Sequence, residues 1–216
     1  MSGQLGAWRE NIKARIGFGG EDMNFIINQR EVEFPVHPLF PNRWSPRSMS
    51  GESISDNDLF TLCEAARWAP SSFNNQPWRF IYAHRHSNAW PPLFGLMGEF
   101  NRSWTHSAAV LVIIVSKNNF DHNGKPCRTH SFDTGAAWQN LALQASLMGL
   151  VAHGMEGFDY ERAKSELHIP DDHTVEAMVA IGKPGKKEDL PVALQEKEQP
   201  SDRKPIKSFI FEGTFS

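Results

Sequence analysis

Between Ser55 and Arg67 the apolar positions Leu59, Leu62, Cys63 and Ala66 recur at three- and four-residue spacing, the stripe of a helix with one face on a core. Ser55 offers an N-cap oxygen, Asp58 stands at the capping-box position, and the helix has to end before Pro70. A longer helix is predicted over Asp133 to Leu150, with Ala136, Ala137, Leu141, Ala145 and Met148 on its buried side and Gly149 where a C-cap belongs. Its alanines permit close packing of another helix or of a second subunit. Asp159 to His168 reads as a shorter helix stopped by Pro170. Ala108 to Val115 is an unbroken apolar run rich in β-branched residues, as expected of a strand covered on both faces. Arg79 to His84, Leu150 to His153 and Thr174 to Ile181 supply further strands.

The two ends of the chain follow other patterns. Leu5, Trp8, Ile12 and Ile16 fall at helical spacing and precede Gly17-Phe18-Gly19-Gly20, which reads as an amphipathic helix and a flexible linker. That helix is expected to pack on the body or on a partner subunit. A membrane-surface role fits less well, since it carries Glu10 and few cations. The glycine run is not a phosphate loop, because no Lys-Ser or Lys-Thr follows it and no strand precedes it. The prolines from Pro35 to Pro46 predict extended chain. Residues 183–200 are charged and proline-bearing, whereas Ile206, Phe209, Ile210, Phe211 and Phe215 make an apolar tail that calls for a partner surface. The expected organisation is a helical extension, 1–34, on one domain, 35–216.

A chain of 216 residues has room for one such domain, and its 15 Phe and 7 Trp provide material for a core. The formal net charge of −3 removes any general attraction to nucleic acid or acidic membranes, so an anion site has to be local. Cys63 and Cys127 are too few for a disulfide framework. The apolar run 108–115 is far short of the roughly 20 residues a membrane span needs, and the N-terminus lacks a secretory core. A cytoplasmic protein, with no membrane or nucleic-acid partner, is expected.

Three segments carry candidate chemistry. Arg43-Trp44-Ser45-Pro46-Arg47 places two guanidiniums and a hydroxyl at every second residue, on one side of an extended segment. This suits a phosphate clamp, because the arginine fork bonds two phosphate oxygens and serine adds a neutral donor. The same spacing also describes a solvated edge strand. The loop Pro70-Ser71-Ser72-Phe73-Asn74-Asn75-Gln76-Pro77-Trp78 gathers three amides and two hydroxyls that could read a heterocycle edge presenting carbonyls and an N–H. Turn chemistry, with those side chains bonded to their own backbone, accounts for it equally. Gly154-Met155-Glu156-Gly157-Phe158-Asp159 follows a predicted strand and precedes a helix, so its backbone can approach a flat ligand closely. His122, Cys127 and His130 resemble part of a metal site but offer only three local ligands without a closed zinc spacing. Ser201-Asp202-Arg203-Lys204 matches Ser-x-x-Lys without its companion motifs.

In order and content, Arg43-x-Ser45-x-Arg47, the Pro70 to Trp78 loop and Glu156-Gly157-Phe158-Asp159 resemble the three cofactor segments of the nitroreductase family of FMN-dependent oxidoreductases. The resemblance runs from about His37 to Ile206. It implies an α+β fold: a three-layer sandwich with a mostly antiparallel sheet flanked by helices, assembled as an intertwined homodimer whose tails each add a strand to the partner's sheet. It implies that Arg43, Ser45 and Arg47 hold the phosphate and ribityl groups of FMN and that Arg203 adds a second phosphate cation. Ser71, Ser72 and Asn74 would reach the same flavin from the other subunit, and Pro70 and Gln76 of the same loop would also bind the cofactor. Asn101 would stand near the pyrimidine edge, and the backbone of Gly154, Met155, Glu156 and Gly157 beside N5. Trp104 and Ser201 depart from lysines found in some members. The implied activity is hydride transfer from NAD(P)H through FMN to a nitroaromatic, quinone or similar small-molecule acceptor, by a ping-pong mechanism with no side-chain nucleophile. The same fold also serves dehalogenation, enone reduction, dehydrogenation, flavin breakdown and flavin binding without turnover.

Overall fold

A computed structural model describes residues 30–215. The helix expected around Leu5 to Ile16 and the glycine linker lie outside the described residues. The described chain runs α1 (Leu39–Asn42), α2 (Asp56–Arg67), β1 (Trp78–His84), α3 (Trp90–Gly95), α4 (Glu99–Thr105), β2 (Val110–Lys117), α5 (His130–Leu147), β3 (Val151–Met155), α6 (Tyr160–Glu166), β4 (His173–Gly182) and α7 (Val192–Gln195), with short 3₁₀ turns between some of them.

The four strands form one antiparallel sheet in the order β1-β2-β4-β3. Strand β2 is central because it has no polar face. Val110, Val112 and Ile114 point to one side and Leu111, Ile113 and Val115 to the other, all at 2% exposure or less. On the first side Leu59, Leu62 and Ala66 of α2 and Ala137, Leu141 and Ala145 of α5 close the core. On the second, Leu93 of α3, Trp104 of α4 and Ala163 of α6 do so, with Leu96 and Met97 between α3 and α4. The result is a helix–sheet–helix sandwich. Each fully buried Leu or Ile contributes roughly 1.5–3 kcal/mol of hydrophobic stabilisation before entropy is charged against it.

Local signals act as the sequence predicts. Ser55 and Asp58 form a reciprocal capping box. Gly149, at φ +68°, ends α5 in a Schellman turn, with Leu150 N bonded to Ala145 O at 2.8 Å and Gly149 N to Ser146 O at 3.2 Å. The segment 35–46 differs from the extended reading. Pro38 adopts helical angles and starts the single turn α1, in which Asn42 N bonds Pro38 O at 3.0 Å. Pro41 is tolerated because a one-turn helix asks little of its third amide. Strand β4 bulges between Ala177 and Val175 opposite Ile114 and Val115, so Glu176 is the extra residue.

Strand β1 pairs with β2 alone, and its other edge carries no partner among the described residues. The tail holds only the 3₁₀ turn Ile206–Ser208 and leaves Phe209, Ile210, Phe211 and Phe215 exposed. No described helix is long and apolar enough to cross a membrane.

Candidate functional site

The Arg43–Arg47 segment is held in place by residues far along the chain. His153, on β3, is half-buried and donates from Nδ1 to Pro46 O at 2.9 Å, which fixes its neutral tautomer. Glu198 Oε1 accepts from both Arg47 N and Ser48 N, each at 2.8 Å. Ser48 Oγ donates to Lys186 O at 2.5 Å, and Gly185 N donates back to Ser48 O at 3.1 Å. Neither His153 nor Glu198 stands out in the sequence, because each acts on the segment only through the folded backbone.

Burial is the main reason the His153 imidazole is less basic than usual; the Pro46 bond opposes it, while the nearby Arg47 and Arg43 charges add to it. A histidine whose pKa is depressed in the fold costs stability when it is protonated, so its contribution is full above the unfolded value near 6.5 and is lost as pH falls below it. The stability difference between wild type and His153→Asn is therefore expected to shrink between pH 7.5 and 5.5 in urea melts. A pH-independent difference would contradict the burial of a neutral imidazole here.

The guanidiniums gather around the same segment. Arg43 Nη1 donates to Ser45 Oγ at 3.3 Å, so the two residues do share a side. Burial, and then the charge of Arg203, lowers the basicity of Arg43, which brings together two cations that are 160 residues apart in sequence. Arg30, which no sequence pattern singled out, lies against this pair and donates from Nη1 to Pro41 O at 3.1 Å and Arg43 O at 3.0 Å. Arg203 Nη1 bonds the local Ser201 O and Asp202 O, at 3.1 and 3.0 Å.

At the C-terminal end of β3, Met155 is buried against the sheet while Gly154, Glu156 and Gly157 are exposed. Asn101, on α4 and 9% exposed, donates from Nδ2 to Gly157 O at 3.0 Å, leaving Oδ1 as its free end. The structure thus joins two separately predicted residues. A Cβ on Gly157 would come within 2.8 Å of that amide nitrogen, and one on Gly154 within 3.2 Å of the Trp138 ring. Trp104, in the same helix as Asn101, packs against His153 with ring centres 4.7 Å apart and the planes tilted by 48°.

The 70–78 loop has other neighbours. Ser72 N donates to the buried Asp133 Oδ2 at 2.9 Å, and Asn75 is tied to Asn119 O at 3.3 Å and Asp121 N at 2.9 Å. Ser71 Oγ accepts from Gln76 N at 3.0 Å, and Gln76 Nε2 donates to Asn74 O at 3.2 Å, so these two serve the turn itself. Phe73, Asn74 and Gln76 all take positive φ, 52°, 53° and 48°, a cluster of unfavourable conformations that the surrounding bonds maintain. The loop displays Phe73, 81% exposed, and Asn74 outward. Within one chain its longer-range bonds run to 117–133, whereas those of the 43–48 segment run to Arg30, β3 and residues 185–198.

His122, Cys127 and His130 do not converge. His122 packs by Phe73 and Phe120, Cys127 is buried beside Thr129 Oγ1, and His130 Nδ1 meets Ser116 Oγ at 2.7 Å. Among the described residues no group could hold a metal ion.

Four buried polar atoms near the 43–47 segment lack a partner: Arg30 Nε, Arg47 Nε, Trp104 Nε1 and Glu198 Oε2. Buried donors are rarely left unpaired. Two of the four, Arg30 Nε and Arg47 Nε, are guanidinium donors, the type that bonds anionic oxygens.

The sequence model of the Nitroreductase family matches residues 41–97 and 82–183, well over half of the chain. A Streptomyces coelicolor relative, named by inference as an NADH dehydrogenase/NAD(P)H nitroreductase, is 31% identical over 167 residues, which cover 68% of this chain and 84% of the relative. A solved structure described as an oxidoreductase containing FMN is 48% identical, with a TM-score of 0.84, over 88% of this chain and 97% of that one. A Desulfovibrio desulfuricans protein assigned as a nitroreductase and solved with FMN is 25% identical, with a TM-score of 0.66, over 86% of this chain and all of its own. Sequence match, sandwich and segment order agree: the chain belongs to the nitroreductase family.

Proposed function

We propose that this chain is an FMN-dependent oxidoreductase that takes a hydride from NAD(P)H and passes it to an electron-poor small acceptor such as a nitroaromatic or quinone. The observation that carries this reading is the gathering of Arg43 and Arg203 beside buried donors without partners, next to the strand end that Asn101 braces. When bound, FMN supplies hydride acceptance and release at N5.

The chain's part is to bind and orient. Arg43 and Arg203 would neutralise the phosphate, Ser45 and Arg47 would bond phosphate and ribityl oxygens, and Arg43 or Asn101 would favour reduction electrostatically. Asn101 would offer Oδ1 to the flavin's pyrimidine edge, and the backbone of Gly154, Met155, Glu156 and Gly157 would supply an N–H to the ring. No side chain acts as a nucleophile. Donor and acceptor would use the same site in turn, which would give ping-pong kinetics.

A homodimer completes the site in this reading. Pro70, Ser71, Ser72, Asn74 and Gln76 come from the second subunit, which agrees with their separation from the 43–47 segment in bonding within one chain. The exposed Phe209, Ile210, Phe211 and Phe215 and the edge of β1 that no described strand pairs are the surfaces that dimerisation would cover. Residues 35–216 form the FMN-binding domain and 1–34 an extension to it.

The test is a visible spectrum of the purified protein followed by anaerobic NADPH and NADH. A flavin band near about 450 nm that bleaches with either nucleotide is expected, with recovery on adding a quinone or nitro compound. A protein that binds FMN but is not reduced by either nucleotide would refute the hydride-transfer reading.

A further inference from the structure

We propose that Arg30 is a third phosphate-binding residue, which with Arg43 and Arg203 makes the site select a flavin that ends in a phosphate monoester. The inference rests on the reading of the 43–47 segment as the FMN phosphate site. It concerns a residue outside the family match, which starts at residue 41.

Arg30 is placed by its own bonds. Nη1 is spent on Pro41 O and Arg43 O, at 3.1 and 3.0 Å. That leaves the Nε–Nη2 edge of the guanidinium, the edge that meets two oxygens of one phosphate in a parallel pair. Nε is buried and has no partner. A second tie lies three residues on, where Glu33 Oε1 accepts from Ile206 N at 2.9 Å. Residues 30–33 are thereby fastened both to the turn that presents Arg43 and to the chain just beyond Arg203.

Charge counting points the same way. Burial, then Arg203 and Arg43, make the Arg30 guanidinium less basic than usual, and Asp202 opposes them. Three guanidiniums and one carboxylate leave a local charge of about +2, and a phosphate monoester near pH 7 carries close to −2. Like charges this close, partly out of water, oppose one another until an anion arrives. Riboflavin, which has no phosphate, cannot relieve that repulsion.

The experiment uses the full-length protein, stripped of flavin and titrated with FMN and with riboflavin by quenching of flavin fluorescence. Arg30→Gln is expected to reduce the preference for FMN over riboflavin roughly tenfold or more, with riboflavin affinity unchanged. Arg30→Lys, which keeps the charge but loses the fork, is expected to fall between the two and serves if Arg30→Gln does not fold. Equal weakening of both flavins would overturn the proposal and leave Arg30 as a brace for the Pro41 and Arg43 carbonyls. An unchanged preference in Arg30→Gln, with a lowered one in Arg43→Ala, would overturn Arg30 alone. An unchanged preference in Arg43→Ala would remove the underlying phosphate reading as well.

Discussion

An Arg43→Ala protein is expected to emerge from extended dialysis with little or no FMN. The substitution removes a charge-assisted contact to phosphate, worth about 1.5–3 kcal/mol, or roughly 10- to 150-fold in affinity. It also takes away the partner of Ser45 Oγ and so loosens a second proposed ligand. Apo stability is expected to hold or rise slightly, because burial and the Arg203 charge already act against this guanidinium in the free protein. The check is flavin content per chain after dialysis, paired with a melt of the apo form. Full stoichiometry in Arg43→Ala would refute the phosphate assignment.

The second large effect is expected at Gly185, which touches no proposed ligand. A Cβ there would lie 2.6 Å from the carbonyl carbon of Met49, and 2.7 Å from both its oxygen and Ser48 Oγ. Two of those atoms are backbone, so no rotamer change makes room and the chain from Ser48 to Met49 has to move. Overpacking of this kind costs about 1–3 kcal/mol, which for a protein of this size lowers Tm by roughly 2–4 °C per kcal/mol. The same displacement breaks the Ser48–Gly185 bond and disturbs the Glu198 grip on Arg47 N and Ser48 N. Gly185→Ala is therefore expected to lose thermal stability and FMN affinity together, whereas Arg43→Ala loses affinity alone. A Gly185→Ala protein with wild-type Tm and wild-type FMN binding would show that the contact is relieved without cost.

Much of the scaffold was legible because its signals are local. The capping box at Ser55 and Asp58, the Gly149 terminator and the two-faced apolar run of β2 each depend on residues within a turn or two of one another. The one-turn helix after Pro38 was not legible, since prolines that forbid a long helix also favour starting a short one. The candidate site divides in the same way. Arg43 and Ser45 share a side, as alternate spacing in extended chain requires, yet the residues that hold them, His153 and Glu198, sit about 110 and 150 positions away. In the 70–78 loop the polar side chains take different partners. Gln76 and Ser71 bond the turn, Asn75 bonds the 119–121 segment, and Asn74 is exposed. A polar residue's type says that it can make hydrogen bonds, and only the fold decides with whom.

The Glu33–Ile206 bond spans 173 positions, almost the whole described chain, and the Arg30–Arg43–Arg203 group closes over the same span. Contacts that distant in sequence carry the largest loop-closure cost and are the slowest to form. The sheet and both helical layers can be in place while this ring of charge is still open. If the proposed phosphate site is right, a refolding chain holds a flavin by its phosphate only after residues 30–43 and 203–206 have met. On that reading the appearance of bound colour marks this late closure, and FMN, by binding only the closed form, favours it.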